Sequence, residues 1–297
     1  MRRRSAAPYV FVAPAVILLV VFLLVPIGYT VWLSLRASRV TGDGLGLRHE
    51  VFVAFDNYKS VLTAPDYVHG LLRMLGYGAI VVPVMLGLAL SFALLLDVPR
   101  VRLTRFSRIS IFLPYAVPGV IASLLWGFLY LPGVSPIRDA ASALSLPVPD
   151  LLSPNTVLFS VANIGIWGGV GFNMIVLYTA VRGIPQELYD AARVDGASEV
   201  QIALRVKLPL ITPALVMAGV FAIIATLQVY NEPATLAPLS DSISSSWVPL
   251  MAIYRDAFVN NDIYSAAAAS VVLALGTLVV SAAALRVLQK RAFGLDR

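Results

Sequence analysis

The stretch between Asp150 and Arg182 reads LLSPNTVLFSVANIGIWGGVGFNMIVLYTAV over positions 151–181, and its 31 consecutive residues carry no charge. A helix needs about 20 apolar residues to cross the hydrocarbon core of a bilayer, because that core is about 30 Å thick. The run is long enough for one crossing, and it predicts a membrane-spanning helix over 157–181.

Five more charge-free runs lie on either side of this stretch, and each consists mostly of Val, Leu, Ile, Ala and Phe. A buried helix of a soluble protein would explain one such run, but not six in 297 residues. The predicted fold class is all-α: a polytopic membrane protein with six transmembrane helices in a single domain over 1–297. The spans are predicted near 10–35, 73–97, 109–131, 157–181, 212–232 and 264–286.

The composition agrees with a membrane protein and excludes several kinds of site. Charged residues make up 13% of the chain, whereas soluble domains carry about 25%. There is no cysteine, so disulfides, thiolate metal sites and cysteine nucleophiles are impossible. The only histidines are His49 and His69, which are too few for a multi-histidine metal site.

The distribution of basic residues predicts the topology. An even number of spans puts both termini on one side, and cytoplasmic termini would leave 15 of the 22 Lys and Arg residues in the cytoplasm. Basic residues are enriched in cytoplasmic loops. We therefore predict a multi-pass protein of the cytoplasmic (inner) membrane with both termini in the cytoplasm. The same distribution explains the net charge of +6 without nucleic acid.

The segments between spans differ in length and character. The long outer segment 36–72 includes Phe52, Phe55 and Tyr58, whose spacing predicts a short amphipathic helix on the outer surface. The loop 183–211 is the only long one predicted to be cytoplasmic, so it is the place to look for contacts with a cytoplasmic partner.

Helix signals divide this cytoplasmic loop into two short helices. Pro185 suits the first position of a helix, and Asp190 adds negative charge toward its amino-terminal end. Gly196 can end that helix in the left-handed conformation, and the sequence Ser198–Gln201 fits a capping box that opens a second helix. Such a pair suits docking into a groove on a partner, while an amphipathic loop on lipid headgroups remains the alternative.

The same loop carries a motif with two anchors. Asp190-Ala191-Ala192 is followed by three residues and Gly196, then by nine residues and Val206-Lys207-Leu208-Pro209. This arrangement resembles the EAA loop of permeases of binding-protein-dependent ABC importers, Glu-Ala-Ala-x3-Gly-x9-Ile-x-Leu-Pro. The chain departs from that pattern in Asp190, which replaces Glu, and in Val206, which replaces Ile.

The resemblance extends over almost the whole chain. Phe52–Tyr58 is similar to the Phe-x-Gly-Leu-x-Asn-Tyr segment of carbohydrate permeases of the maltose and glycerol-phosphate type, with Ala54 in place of the usual Gly. Phe112–Tyr115 and Pro118-Gly119 are similar to the same subfamily. A departure is Leu236–Leu239, where the family often has Leu-Thr-x-Gly-Gly-Pro.

The resemblance implies a transmembrane permease subunit of an ATP-driven, binding-protein-dependent importer for a sugar or sugar-like solute, working by alternating access. In such permeases the EAA loop inserts into a cleft of a cytoplasmic ATPase and transmits its closure to the membrane helices. The residues expected in this coupling are Glu187, Asp190, Ala191, Ala192, Asp195, Gly196, Leu208 and Pro209.

The chain itself is predicted not to be an enzyme. A phosphate-binding Walker A loop needs Gly-Lys-Ser/Thr, and none of the three lysines, Lys59, Lys207 and Lys290, follows a glycine. No cofactor is expected on this chain, and ATP and Mg are expected on a separate ATPase. The resemblance implies as partners a second homologous permease, an ATP-binding cassette ATPase dimer, an extracytoplasmic solute-binding protein, a sugar-like substrate and membrane lipid.

Polar residues within the spans suggest a path for the solute. No charged residue lies at the centre of a predicted span, and Arg73 and Glu232 lie at span ends. Proton-coupled carriers keep charged residues inside the membrane, so this pattern argues against such a carrier and against a charged substrate held at mid-membrane. Gly165 and Gly169 form a pair of small residues that favours helix packing.

The candidates for this path are polar and aromatic residues in the outer half of three spans, where the predicted topology allows them to meet. Aromatic rings suit the C–H faces of sugars, and amides suit their hydroxyls. The alternatives are an interfacial aromatic belt and amides that join helices. The candidates are Ser123, Trp126, Asn163, Trp167, Gln228, Tyr230, Asn231 and Glu232.

Three other functions remain open at the level of sequence. An importer permease for a non-sugar solute would share the cytoplasmic loop but not the carbohydrate-type segments. An ATP-independent secondary carrier or channel would have no use for an ATPase-docking helix pair. A membrane-embedded enzyme would need a catalytic group of His, Asp or Ser residues inside the spans, and the sequence offers none.

Overall fold

A computed structural model describes residues 7–40, 48–98, 103–145, 147 and 149–293, and these are almost entirely helical. The helices are α1 (Ala7–Leu19), α2 (Val25–Ser34), α3 (Asp56–Thr63), α4 (Pro65–Leu96), α5 (Thr104–Phe112), α6 (Gly119–Tyr130), α7 (Pro136–Ala143), α8 (Val157–Arg182), α9 (Gln186–Val194), α10 (Glu199–Ile202), α11 (Leu208–Thr226), α12 (Asn231–Leu236), α13 (Pro249–Tyr254) and α14 (Ile263–Phe293). The strands are β1 (Arg36–Val40) and β2 (Arg48–Phe52). The predicted all-α, polytopic fold class is confirmed.

Within the described ranges, five continuous helical stretches are long and apolar enough to cross a membrane: Tyr9–Ser34, Pro65–Leu96, Val157–Arg182, Glu199–Thr226 and Ile263–Val287. A sixth crossing arises if Thr104–Ala116 and Gly119–Tyr130, which meet at 96°, count as one broken span. The second stretch begins eight residues before the predicted 73–97, and the fourth includes the end of the cytoplasmic loop.

The third predicted span, 109–131, is therefore not one straight helix. A 3₁₀ turn follows α5 at Leu113–Ala116, and Val117 is extended (ψ 125°) before α6 begins. A residue that precedes proline is pushed out of the helical region, because the proline ring clashes with its backbone. Pro118 has this effect on Val117 and produces the bend.

The fifth predicted span, 212–232, was also wrong as a continuous helix. The helix α11 ends at Thr226, and α12 begins at Asn231 after a non-helical connection. Pro233 has no N–H to donate within a continuing helix, but it is tolerated in the first turn of α12, where amide groups have no partner in the helix. The break carries Gln228 and Tyr230 on irregular backbone.

The described residues fold as two compact units, one within residues 1–68 and 252–275 and the other within residues 69–251 and 276–297. In the first unit β1 and β2 form an antiparallel hairpin that pairs Arg36 with Phe52. Phe52 thus lies in a strand, and the predicted amphipathic helix through Phe52, Phe55 and Tyr58 is wrong in its first half. The helix starts only at Asp56.

The segment that resembles the carbohydrate permeases joins this hairpin to α3. Asn57 donates hydrogen bonds through Nδ2 to the carbonyl oxygens of Ser34 (2.9 Å) and Arg36 (2.7 Å). The hydroxyl of Tyr58 is hydrogen-bonded to that of Ser34. These residues fix the end of α2 against α3.

Ala54 has φ +49°, a left-handed conformation that costs an L-residue about 1–2 kcal/mol. This explains why glycine is usual at the matching position of the family segment.

We expect Ala54→Gly to raise the free energy of unfolding by about 1 kcal/mol, measured by thermal unfolding in detergent. Ala140→Gly, in the exposed interior of α7, should lower it by a similar amount. If both substitutions lower the free energy of unfolding by the same amount, the backbone at Ala54 is not strained.

In the second unit the core lies between α4, α8 and α11. Met174 and Leu177 of α8 are fully buried against Ala89 and Ala93 of α4. A Cβ at Gly171 would collide with the backbone of Ile111 and Phe112 at the end of α5. The small residue therefore lets α5 and α8 approach at backbone distance.

We expect Gly171→Ala to destabilise the protein by about 1–3 kcal/mol, because backbone atoms cannot rotate away as a side chain can. The readout is the midpoint of thermal unfolding together with the yield of monodisperse protein. Gly168→Ala is the matched control, since a Cβ there meets nothing within 4 Å. The close approach is refuted if the two variants unfold at the same temperature.

Candidate functional site

The first helix of the loop predicted to be cytoplasmic, α9, ends in a glycine cap. Gly196 has φ +79°, and its N–H donates to the carbonyl of Arg193 at 3.0 Å, while Ala197 donates to Ala192 at 2.9 Å. These two bonds define a Schellman motif. The predicted left-handed end at Gly196 is confirmed, whereas Pro185 precedes the helix rather than occupying its first position.

The predicted capping box is also confirmed. The Gln201 N–H donates to Ser198 Oγ at 3.3 Å, and the Ser198 N–H donates to Gln201 Oε1 at 2.8 Å. The second helix does not end before the membrane, because α10 continues through a π-helical turn at Ala203–Lys207 into α11. That turn directly precedes Pro209, whose ring disturbs the regular hydrogen-bond pattern.

Most of the predicted coupling residues lie together on the solvent-exposed side of this helix pair. Arg193 bridges the two helices, with ion pairs to Asp190 (3.1 Å) and Glu199 (3.2 Å). Val194 is 87% exposed, so the pair also presents apolar surface. Glu187, Asp190, Ala191, Asp195 and Gly196 are exposed and Ala192 is half-buried, while Leu208 and Pro209 lie apart, in the first turn of α11.

A buried ion pair lies next to the helix pair with an exposed arginine and a buried tyrosine beside it, and we call Asp97, Lys207, Arg182 and Tyr189 the anchor cluster. Lys207 Nζ lies 2.7 Å from Asp97 Oδ2, and both side chains are only 5% exposed. Arg182 approaches the other carboxylate oxygen at 3.7 Å. The cluster thus joins the end of α4, the end of α8 and the beginning of α11.

Tyr189 attaches α9 to the same cluster. The ammonium of Lys207 lies 4.9 Å from the centre of the Tyr189 ring, within the range of a cation–π contact. The hydroxyl donates to the carbonyl of Val181 at 3.2 Å. Burial, with a further contribution from Asp97, raises the pKa of this phenol, so it remains a neutral donor.

Sequence reasoning missed the anchor cluster. It assigned Lys207 only to the motif spacing and Asp97 only to the end of a span. The available signal was a pair of opposite charges at the cytoplasmic ends of two predicted spans, where a lone charge would be expensive to bury.

The second unit also contains a cavity of about 430 Å³ between α4, α8, α11 and α12. This volume lies within the range of small-molecule sites, about 300–1,000 Å³. Aromatic rings and polar groups share its wall, and the rings of Tyr115 and Phe172 stack with centroids 4.9 Å apart. The wall includes Tyr77, Tyr115, Phe172, Phe221, Tyr230, Asn173, Thr226, Gln228, Asn231 and Glu232.

Four of the eight predicted solute-path residues border this cavity, and they are those of the broken fifth span: Gln228, Tyr230, Asn231 and Glu232. Glu232, which the sequence placed at a span end and among the candidates for the path, is thus part of the cavity wall. The cavity residues Tyr77, Tyr115 and Phe172 were missed, although Tyr115 belongs to a segment noted for its resemblance.

The other four predicted residues form a separate cluster between α6 and α8. Trp126 and Trp167 meet edge to face with centroids 5.9 Å apart, and Asn163 donates to the Tyr130 hydroxyl at 2.9 Å. Ser123 is buried and donates to the carbonyl of Gly119 at 2.8 Å. Among the described residues, the buried indole N–H of Trp126 has no hydrogen-bond partner.

The predicted topology allowed all eight candidates to meet, but they do not, and the reason is geometric. Asn163 and Trp167 border a groove with Leu88 and Phe92, whereas Gly165 and Gly169 border the cavity. Two residues along a helix correspond to a rotation of about 200°. The face of α8 that carries Asn163 and Trp167 is therefore opposite to the face that borders the cavity.

Comparison with known proteins places the chain among transport proteins. Residues 77–293 match the family described as binding-protein-dependent transport system inner membrane component. The sn-glycerol-3-phosphate transport system permease protein UgpA of Escherichia coli (strain UTI89 / UPEC) is 29% identical over 96% of this chain and 94% of its own length.

Two solved structures share the fold. One is a bacterial ABC transporter involved in the import of the acidic polysaccharide alginate, with a TM-score of 0.80 and 21% identity over 96% of this chain and 95% of the other. The second is a bacterial alginate ABC transporter in complex with an alginate pentasaccharide-bound periplasmic protein, with a TM-score of 0.80 and 22% identity over 94% and 92%.

The family match covers most of the chain, including the cavity, the anchor cluster and the helix pair α9 and α10. It accounts for the several apolar helices that are long enough to cross a membrane. The chain belongs to the family of inner-membrane components of binding-protein-dependent transport systems.

Proposed function

We propose that this chain is the permease subunit of an ATP-driven importer for a sugar or sugar-like solute. The cavity is the observation that carries the proposal, because aromatic rings and uncharged hydrogen-bonding groups share one wall. Rings pack against the C–H faces of a sugar, and amides and hydroxyls match its hydroxyl groups. The relatives transport glycerol phosphate and alginate, according to their names, which supports a polyhydroxylated solute.

The cytoplasmic helix pair is proposed to receive the driving force. Asp190, Ala191 and Gly196 lie on its exposed side, where a cleft of an ATPase can close on them. The cofactors of the reaction, ATP and Mg, would be bound by that ATPase. Because that ATPase would be cytoplasmic, the proposed orientation of the chain in the membrane has the helix pair and both termini in the cytoplasm.

The remaining partners of the proposed complex are a second homologous permease, an ATPase dimer and an extracytoplasmic solute-binding protein. The related alginate transporter has been solved with a periplasmic protein. Alternating access would consist of one movement, in which closure of the ATPase dimer displaces α9 and α10. Because α10 is continuous with α11, the displacement reaches the cavity wall at Thr226 directly.

The test is solute uptake by the complete importer in proteoliposomes, with Tyr115→Ala as the variant. Loss of one stacking surface should raise the half-saturating sugar concentration about tenfold, since each factor of ten corresponds to 1.4 kcal/mol. ATPase copurification should be unchanged. Phe128→Ala, which removes an exposed ring of α6 away from the cavity, is the control. Uptake that is equally affected in both variants, or absent for every sugar in the parent, would contradict the proposal.

A further inference from the structure

The cavity wall has an unbalanced charge. Glu232 is its only acidic residue, and among the described residues that line it there is no Lys, Arg or His. The ion pairs of the described chain do not include Glu232. Glu232 and Tyr77 both border the cavity.

Among the described residues, the basic side chains of the neighbouring helices do not border this wall. On α4, Arg73 lies one helical turn before Tyr77, but it is exposed and does not border the cavity. Arg182, at the end of α8, and Lys207, just before α11, are paired with Asp97. The acidic character of the cavity is therefore a property of its own wall.

This charge distribution bears on the choice of solute. Two like charges about 5 Å apart repel strongly enough to weaken binding about tenfold or more, even at an effective dielectric constant of about 20. A carboxylate can instead accept hydrogen bonds from sugar hydroxyls, and it can do so without a counter-ion on the solute.

We propose that Glu232 is a specificity-determining residue that makes the cavity accept sugars without an anionic group and reject phosphorylated or uronic ones. The inference rests on the proposed function, since it assumes that the cavity holds the solute. It separates this chain from the relatives named for glycerol 3-phosphate and for an acidic polysaccharide.

The experiment uses the importer complex purified through a tag on this chain and placed in lipid nanodiscs, without the solute-binding protein, so that only the membrane cavity selects. The probes are methyl β-glucoside and methyl β-glucuronide, which differ only at C6. Dissociation constants are measured at pH 7.5 by saturation-transfer NMR. The variants are Glu232→Gln, which removes the charge, and Gln228→Glu, which adds a second carboxylate to the same wall.

The parent complex should bind the glucoside about tenfold or more tightly than the glucuronide. The ratio of the glucuronide dissociation constant to the glucoside dissociation constant should fall close to one in Glu232→Gln and should increase in Gln228→Glu. Asp139→Asn, a control at an exposed outer site, should leave this ratio unchanged. Equal binding of both probes by the parent overturns the inference, as does a ratio that persists in Glu232→Gln. If neither sugar binds while the ATPase remains coupled to another solute, the proposed sugar function itself fails.

Discussion

Replacement of Lys207 by methionine should destabilise the protein by about 3–5 kcal/mol, because it leaves the Asp97 carboxylate buried without its close partner. Arg182 compensates only in part, since it lies 3.7 Å away and its side chain is 64% exposed. The drop should appear as a lower unfolding temperature of the purified protein. Transport should fall as well, since the same contact joins α4 to the start of α11.

The double variant Lys207→Met/Asp97→Leu distinguishes this explanation from simple loss of packing. Replacing both charges with apolar side chains removes the uncompensated carboxylate, so much of the lost stability should return. Lys59→Met, on the exposed side of α3, is the matched single change and should have little effect. A double variant as unstable as the single one would show that the Asp97–Lys207 ion pair does not account for the loss.

The fold class could be predicted because it depends on a local property. Each apolar run must fill about 20 residues without a charge, and the run at 157–181 nearly coincides with α8. The caps around Gly196 and Ser198 are equally local, since they need only residues three to five positions apart. Such features are visible in the sequence itself.

The breaks in the predicted spans are associated with prolines, whereas the spans were predicted from the absence of charged residues. Pro118 lies inside a charge-free run and Pro233 directly follows Glu232, where another run ends, so a criterion based on charge and hydropathy registers neither proline. Their effect comes from backbone sterics and from a missing N–H. The consequence is functional, because the second break puts Gln228 and Glu232 into the cavity wall.

Contacts between distant elements could not be predicted from the sequence. Asp97 and Lys207 are 110 positions apart, and only the packing of α4 against α11 brings them together. The predicted solute path was only partly correct for a related reason. Asn163 and Gln228 were expected at the same depth in the membrane, but Asn163 borders the groove and Gln228 borders the cavity. Depth follows from topology, whereas the facing side depends on how neighbouring helices are rotated.

The second large effect is expected at Gly196, where Gly196→Val should abolish copurification of the ATPase and reduce solute uptake more than tenfold. The backbone there is left-handed (φ +79°), and a β-branched residue in that region is strongly disfavoured. Space is not the reason, because a Cβ at this position meets nothing within 4 Å. The turn between α9 and α10 would have to reorganise, and the exposed face around Asp190 would move with it.

Gly196→Asn is the matched control, because asparagine adopts the left-handed conformation far more readily than other side chains. It should retain the Schellman cap and most of the coupling. A pull-down from detergent extract, probed for the ATPase subunit, compares the two variants with Asp190→Lys, which reverses the charge on the exposed side. If asparagine fails as completely as valine, the glycine is needed for the close approach of the partner itself. If valine retains full coupling, the turn does not position the docking surface, and transmission through α9 must be abandoned.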